Sequence, residues 1–190
     1  MITRREVIKL AAFPLLPGWL NKRAFASGMP IRPAPLPQAY MSIGRAVGVP
    51  PYLLYAIALQ ESQMKYGQSA LPYPWTLNIA GIPKRFKSFG AAVATLTDCL
   101  RAGVVSVDCG LLQINWKYHH ARLGSVTRAL DPYPNIQVGA QILREHFDET
   151  KSWLKAVALY HNADLKIGTA YAAAVIRLLS RIPTQEGGHE

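Results

Sequence analysis

The chain lacks any uninterrupted apolar stretch near the roughly 20 residues that a membrane-spanning helix requires, although half of its 190 residues are hydrophobic. The mature protein is therefore expected to be soluble. Cysteine is scarce: Cys99 and Cys109 are the two present, too few for a disulfide-dense scaffold. None is required at this length, where about two-thirds of the unfolded surface can be buried in one domain. Acids are also few, 11 against 21 Lys and Arg, giving a formal charge of +10. A basic balance suits nucleic acid, but equally suits anionic wall polymers and phospholipid head groups. The sequence lacks a Lys/Arg run interleaved with aromatics, so no nucleic-acid partner is expected. No internal repeat is present, and a strand-like alternation occurs in one short stretch only.

The first 26 residues read as a targeting segment, with a basic start, a moderately apolar run from Leu10 to Leu20, and Ala24-Phe25-Ala26 matching the small-x-small pattern before signal cleavage. Thr3-Arg4-Arg5-Glu6-Val7-Ile8-Lys9 resembles a twin-arginine export signal; the alternative is an ordinary secretory signal that carries the arginine pair. Cleavage near Ala26 and a periplasmic location are expected. Loss of the segment removes Arg4, Arg5, Lys9, Lys22 and Arg23 with Glu6 and leaves the chain basic. In an oxidising compartment Cys99 and Cys109 can pair, closing a short loop that contributes on the order of 2 to 3 kcal/mol. Two buried thiols are the alternative.

Residues 27–37 are rich in proline and predict an extended arm rather than packed structure. The domain is expected over 38–184, and residues 185–190 as a disordered tail. A helix is predicted from Gln38 to about Val47. Gly48-Val49-Pro50-Pro51 ends it and starts another from Pro51 to about Lys65. Trp75-Thr76-Leu77-Asn78-Ile79 alternates before Gly81-Ile82-Pro83 and predicts a hairpin. Ser88 can cap a helix to about Arg101, with Gly103 ending it. Asp131-Pro132 and Asn135 punctuate the start of a helix to about Asp148, and two more follow near Ser152–His161 and Gly168–Arg181. The fold class is mainly α, a single helical domain with a small β-hairpin insertion.

In the helix from Pro51, Leu54, Ile57 and Ala58 share a face, and a step of three from Ala58 puts Glu61 on it. An inward carboxyl is pushed toward its neutral form, the state a general acid needs. The alternative is a helix already ending, with the carboxylate in solvent. His119 and His120 suggest metal by type, but adjacent helical side chains diverge and no partner stands at ligand spacing, so no cofactor or metal is expected.

Three segments in order resemble the soluble lytic transglycosylases, relatives of goose-type lysozyme. Ala58-Leu59-Gln60-Glu61-Ser62 resembles the helix-borne Glu-Ser pair, Gly110-Leu111-Leu112-Gln113-Ile114-Asn115 the Gly-Leu-Met-Gln-Ile segment, and Ala156 to Asn162 the Ala-x-x-Tyr-Asn segment. The hairpin and the Val107-Asp108-Cys109-Gly110 approach are similar to the branch associated with type IV secretion, pilus or conjugation machinery. The resemblance implies a lysozyme-like fold, peptidoglycan glycan strands as substrate, a monomer, and Glu61 as the one catalytic acid and base. It places Gln113 in the cleft, and turns the Tyr160 hydroxyl toward the glutamate. Ser62, Leu112, Asn115 and His161 are carried over as substrate-binding, Leu112 standing where the family has Met and His161 where many members have Asn. Read without the resemblance, Ser62 caps or packs beside the acid, Gln113 and Asn115 cap turns, and Tyr160 is a core aromatic. Asp108 is the other acid close to a motif.

Overall fold

The computed structural model describes residues 32–184. The export signal read over 1–26, the first part of the arm and the tail over 185–190 lie outside the described residues. Among the described residues the helices are α1 (Gln38–Val47), α2 (Pro51–Ser62), α3 (Phe89–Arg101), α4 (Trp116–Leu123), α5 (Val126–Leu130), α6 (Pro132–Thr150), α7 (Trp153–His161) and α8 (Leu165–Arg181). The strands are β1 (Arg32–Pro33), β2 (Gln63–Tyr66), β3 (Ser69–Pro72), β4 (Thr76–Ile79), β5 (Ile82–Arg85), β6 (Val107–Cys109) and β7 (Ile114–Asn115). The molecule is mainly α, as its sequence predicts.

α2 is the centre of the core. Leu53, Leu54, Tyr55, Ala56, Ile57, Ala58 and Leu59 are all buried, and the helix has no polar side. The expected single apolar face is thus replaced by apolar contact all round, as a helix enclosed by others requires. Each fully buried Leu, Ile or Tyr contributes about 1.5 to 3 kcal/mol relative to exposure. α1, α8 and β3 enclose α2, while α6 and α7 pack against α1 and α8. The surrounding helices are pinned at their starts: Ser88, Ser125, Asp131, Ser152 and Asp164 each accept a backbone N–H within the first turn, about 1 kcal/mol apiece.

Three predictions fail here. The hairpin of β4 and β5 forms as expected, through a turn at Ala80 and Gly81 with positive φ, but it is not alone. α2 ends at Ser62, short of Lys65, and the chain continues as β2, which pairs antiparallel with β3. The strands form two sheets, β1-β3-β2 and β5-β4-β6-β7. The proline-rich arm is extended but also packed: β1 pairs in parallel with β3, Leu36 is buried, the Ala34 N–H donates to Ala70 O, and the Tyr55 hydroxyl donates to Ala34 O. Proline fixes the extended backbone, and apolar contact with the domain then holds it.

Candidate active site

Glu61 stands on the last turn of α2, partly exposed, where the helix leaves the core and meets a cavity of about 470 Å³. It reaches the cavity because the helix stops there, not because a helical face turns. The Tyr171 hydroxyl, from α8, donates to Glu61 Oε1 at 2.5 Å. The carboxyl is pushed up to about 7: burial disfavours its charge, the Tyr171 bond acts against that, and the Asp108 carboxylate raises it further. Tyr171 is itself buried and its hydroxyl is held well above its ordinary range by burial and by the nearby Glu61, so it remains a donor. His161 lies flat on Tyr171, with ring centroids 4.2 Å apart and planes 5° from parallel. Burial pulls the His161 imidazole pKa down, with the Asp108 charge opposing.

The opposite side of the cavity is the sheet β5-β4-β6-β7 and the turn that joins β6 to β7. Gly110 takes φ +76°, and a Cβ there would lie 2.5 Å from Asn135 Nδ2 and 2.9 Å from Ala129 O, so only glycine fits. Asn135, fully buried in α6, donates to Cys109 O and Ala129 O and accepts from the Leu112 N–H, each at 2.9 Å. Read in sequence as helix punctuation, Asn135 is instead the bolt that fixes this turn. Gln113 follows with φ +45°. Its Nε2 donates to Gly110 O at 2.8 Å and Thr76 O at 3.3 Å, which fixes the amide orientation and spends both N–H groups. Gln113 lines the cavity with its amide oxygen left as the group able to accept from a ligand.

Glu61, Gln113, Asn115, Tyr160 and His161 all line the cavity, together with Asn78, Asp108, Tyr118 and His119. Three expectations need correction. Ser62 is fully buried, and its hydroxyl bonds Leu111 O at 2.7 Å and Ala58 O at 3.1 Å, so it ties α2 to the turn rather than meeting substrate. Leu112 is fully buried against Gly139 of α6, with its side chain in the space that a Cβ would take there. Tyr160 donates to Leu112 O at 2.8 Å, and the hydroxyl on the glutamate belongs to Tyr171. Sequence reasoning missed Tyr171 because nothing around it on α8 marks it: its partner is 110 residues away.

Cys99 and Cys109 are free thiols, against the expected pairing. That expectation rested on compartment, and the geometry has Cys109 buried with its Sγ toward Val107 O at 3.7 Å. Burial, then Asp108 and Cys99, push the Cys109 thiol up and keep it protonated. Among the described residues no three His, Cys, Asp or Glu side chains gather as a metal ion would need.

Comparison with known families matches residues 40–175 to one model, described as the transglycosylase SLT domain. No curated protein and no solved structure matches the chain.

Proposed function

From the premise that the chain belongs to the transglycosylase SLT domain family, enzymes that act on peptidoglycan, we propose that it cleaves the glycosidic bond between N-acetylmuramic acid and N-acetylglucosamine with Glu61 as acid and then base. The observation that carries this reading is a carboxyl held near pH 7 at the wall of an open cavity, with a tyrosine hydroxyl fixing its orientation. Such a group is protonated often enough to give a proton and acidic enough to take one back. Glu61 passes its proton to the glycosidic oxygen as the bond to the anomeric carbon breaks. The acetamido oxygen of the muramoyl residue closes on that carbon and holds the positive charge. The muramoyl 6-hydroxyl then displaces it, its proton returns to Glu61, and a 1,6-anhydro end results. Because the attacking hydroxyl belongs to the same sugar, its effective concentration is high without an activated water.

The export signature around Arg4-Arg5 and Ala24-Phe25-Ala26 supports action in the periplasm. The hairpin of β4 and β5 and the Val107-Asp108-Cys109-Gly110 approach support local wall opening for a secretion, pilus or conjugation apparatus, by their similarity to that branch.

Mass spectrometry of fragments released from purified peptidoglycan tests the chemistry. The wild-type chain should release anhydro ends, and Glu61→Gln should lose activity toward the upper end of the roughly 10²- to 10⁴-fold range of general acid-base catalysis while remaining folded and bound to strands. Hydrated ends would make the enzyme a hydrolase. More than about a tenth of wild-type release from Glu61→Gln, against that range, would place the acid elsewhere.

A further inference from the structure

The scheme above leaves one carboxylate in the cavity without a part. Asp108 owes its place to strand register: Asn78 on β4, Asp108 on β6 and Asn115 on β7 are successive cross-strand partners, so their side chains leave the same face of the sheet. The next row, Leu77, Cys109 and Ile114, leaves the other face and is buried in the core. The polar row faces the cavity, and all three of its members line it.

Asn78 Nδ2 donates to Asp108 Oδ2 at 2.9 Å, and Asn115 Nδ2 donates to Oδ1 at 2.6 Å. Each carboxylate oxygen is thus gripped by one amide. A carboxylate offers about four acceptor directions, so roughly two remain open. The amide oxygens Asn78 Oδ1 and Asn115 Oδ1 are buried without a partner among the described residues. Turning either amide over would set its oxygen against the carboxylate, so both are oriented by the charge they hold. What the row achieves is a negative charge that cannot swing away, in the cavity that holds Glu61.

We propose that Asp108 accepts the acetamido N–H of the sugar being cut and steadies the positive charge that the reaction places on that group. This rests on the reading of Glu61 as the acid in an acetamido-assisted cleavage. When the acetamido oxygen bonds to the anomeric carbon, positive charge spreads to the nitrogen, and its N–H bond to a fixed carboxylate strengthens. When the 6-hydroxyl displaces that oxygen, the charge is gone and the bond weakens again. Asp108 forms no covalent bond and keeps no proton.

Tyr171 from α8 bonds Glu61, Tyr160 from α7 and Asp108 from β6 interact with it by charge, and His161 from α7 with Tyr118 and His119 from α4 line the same cavity. The Asp108 charge helps the Glu61 carboxyl hold its proton, so its removal has a pH signature as well as a rate.

The experiment compares wild type and Asp108→Asn on purified peptidoglycan for kcat, KM, product type and pH profile, with thermal unfolding alongside. The expected result is a loss in kcat on the order of 10²-fold, as when one preorganised electrostatic group is removed. KM should stay within about threefold, since little of the interaction exists before the charge develops. Products should remain anhydro ends, and the alkaline limb of kcat should move toward lower pH. A purely structural role would lower the melting temperature and change KM together with kcat, without a selective loss of kcat. Asn78→Ala and Asn115→Ala keep the charge and loosen it, so each should lower kcat by about fivefold; if Asp108→Asn fails to fold, unchanged kcat in both overturns the proposal. An active wild type with an indifferent, folded Asp108→Asn overturns it directly, as do hydrated ends that vanish in that variant. A wild type that releases nothing removes the Glu61 reading too, which keeps the two failures apart.

Discussion

α2 and β6 each bring a carboxyl to one cavity, and they hold it there by different means. Glu61 stands on the last turn of a helix whose run from Leu53 to Leu59 is apolar and buried, and a tyrosine on another helix donates to it. Asp108 sits in mid-sheet between two amides, on a strand with cavity on one face and core on the other. The helical wall is built on apolar burial, which raises the acid's hold on its proton. The sheet floor is built on hydrogen bonds between residues far apart in the chain, which fix a charge. One enclosure yields a group that can exchange a proton and the other a group that can stand still, and the turn from Gly110 to Gln113 joins them through Ser62, Tyr160 and Asn135.

The floor breaks most completely at that turn. Gly110→Ala adds a methyl where Asn135 and Ala129 O already stand, at a left-handed φ, and should cost about 3 to 5 kcal/mol of stability in denaturant unfolding. Asn135→Ala leaves the Leu112 N–H and the carbonyls of Cys109 and Ala129 without their partner, for an expected loss of about 2 to 4 kcal/mol by the same measurement. A loss under about 1 kcal/mol in either would mean that the turn is held from elsewhere.

The wall is sharpened rather than broken by Tyr171→Phe, which keeps the ring and removes the donor. The Tyr171 bond lowers the Glu61 pKa, so without it the carboxyl keeps its proton to higher pH. The alkaline limb of kcat/KM should move up, opposite to the shift expected of Asp108→Asn, and kcat should fall about tenfold as the acid loses its orientation. A downward or absent shift would mean that Tyr171 does not set the acid.

The smallest effect lies in stability. A carboxyl raised to about 7 in the fold binds a proton there that the unfolded chain has already released. Its favourable contribution is therefore full below the unfolded value, near 4.5, and is lost as pH rises through about 7. Glu61→Gln escapes that loss. It should melt about 3 °C above wild type at pH 8 and level with it near pH 4.5, read by thermal unfolding at the two pH values.

The wall was the more legible half. A run such as Leu53 to Leu59 after Pro50-Pro51 can be little other than a buried helix, and a Glu at its end stands out. The floor was hidden because Asn78, Asp108 and Asn115 are ordinary polar residues until pairing sets them in a row, and β6 and β7 are too short to alternate visibly. β2 and β3 leave one trace in the sequence, Gly67 between two short runs, with φ +56° in the structure. Motif position points Leu112 and Ser62 toward substrate, whereas both side chains are buried in the core.

The packed arm has a consequence for where this protein can be cut. The Tyr55 hydroxyl donates to Ala34 O, the Tyr55 ring is fully buried, and its phenol is pushed up to about 12 by burial. A protease that trimmed the chain back to the first residue of α1 would strip that acceptor and uncover the core beneath Leu36. The smallest stable fragment therefore begins at β1, not at α1 and not at residue 40, where the family match starts. Limited digestion should accumulate a species that keeps Arg32 to Pro37, and those residues should be released only after the domain itself has opened.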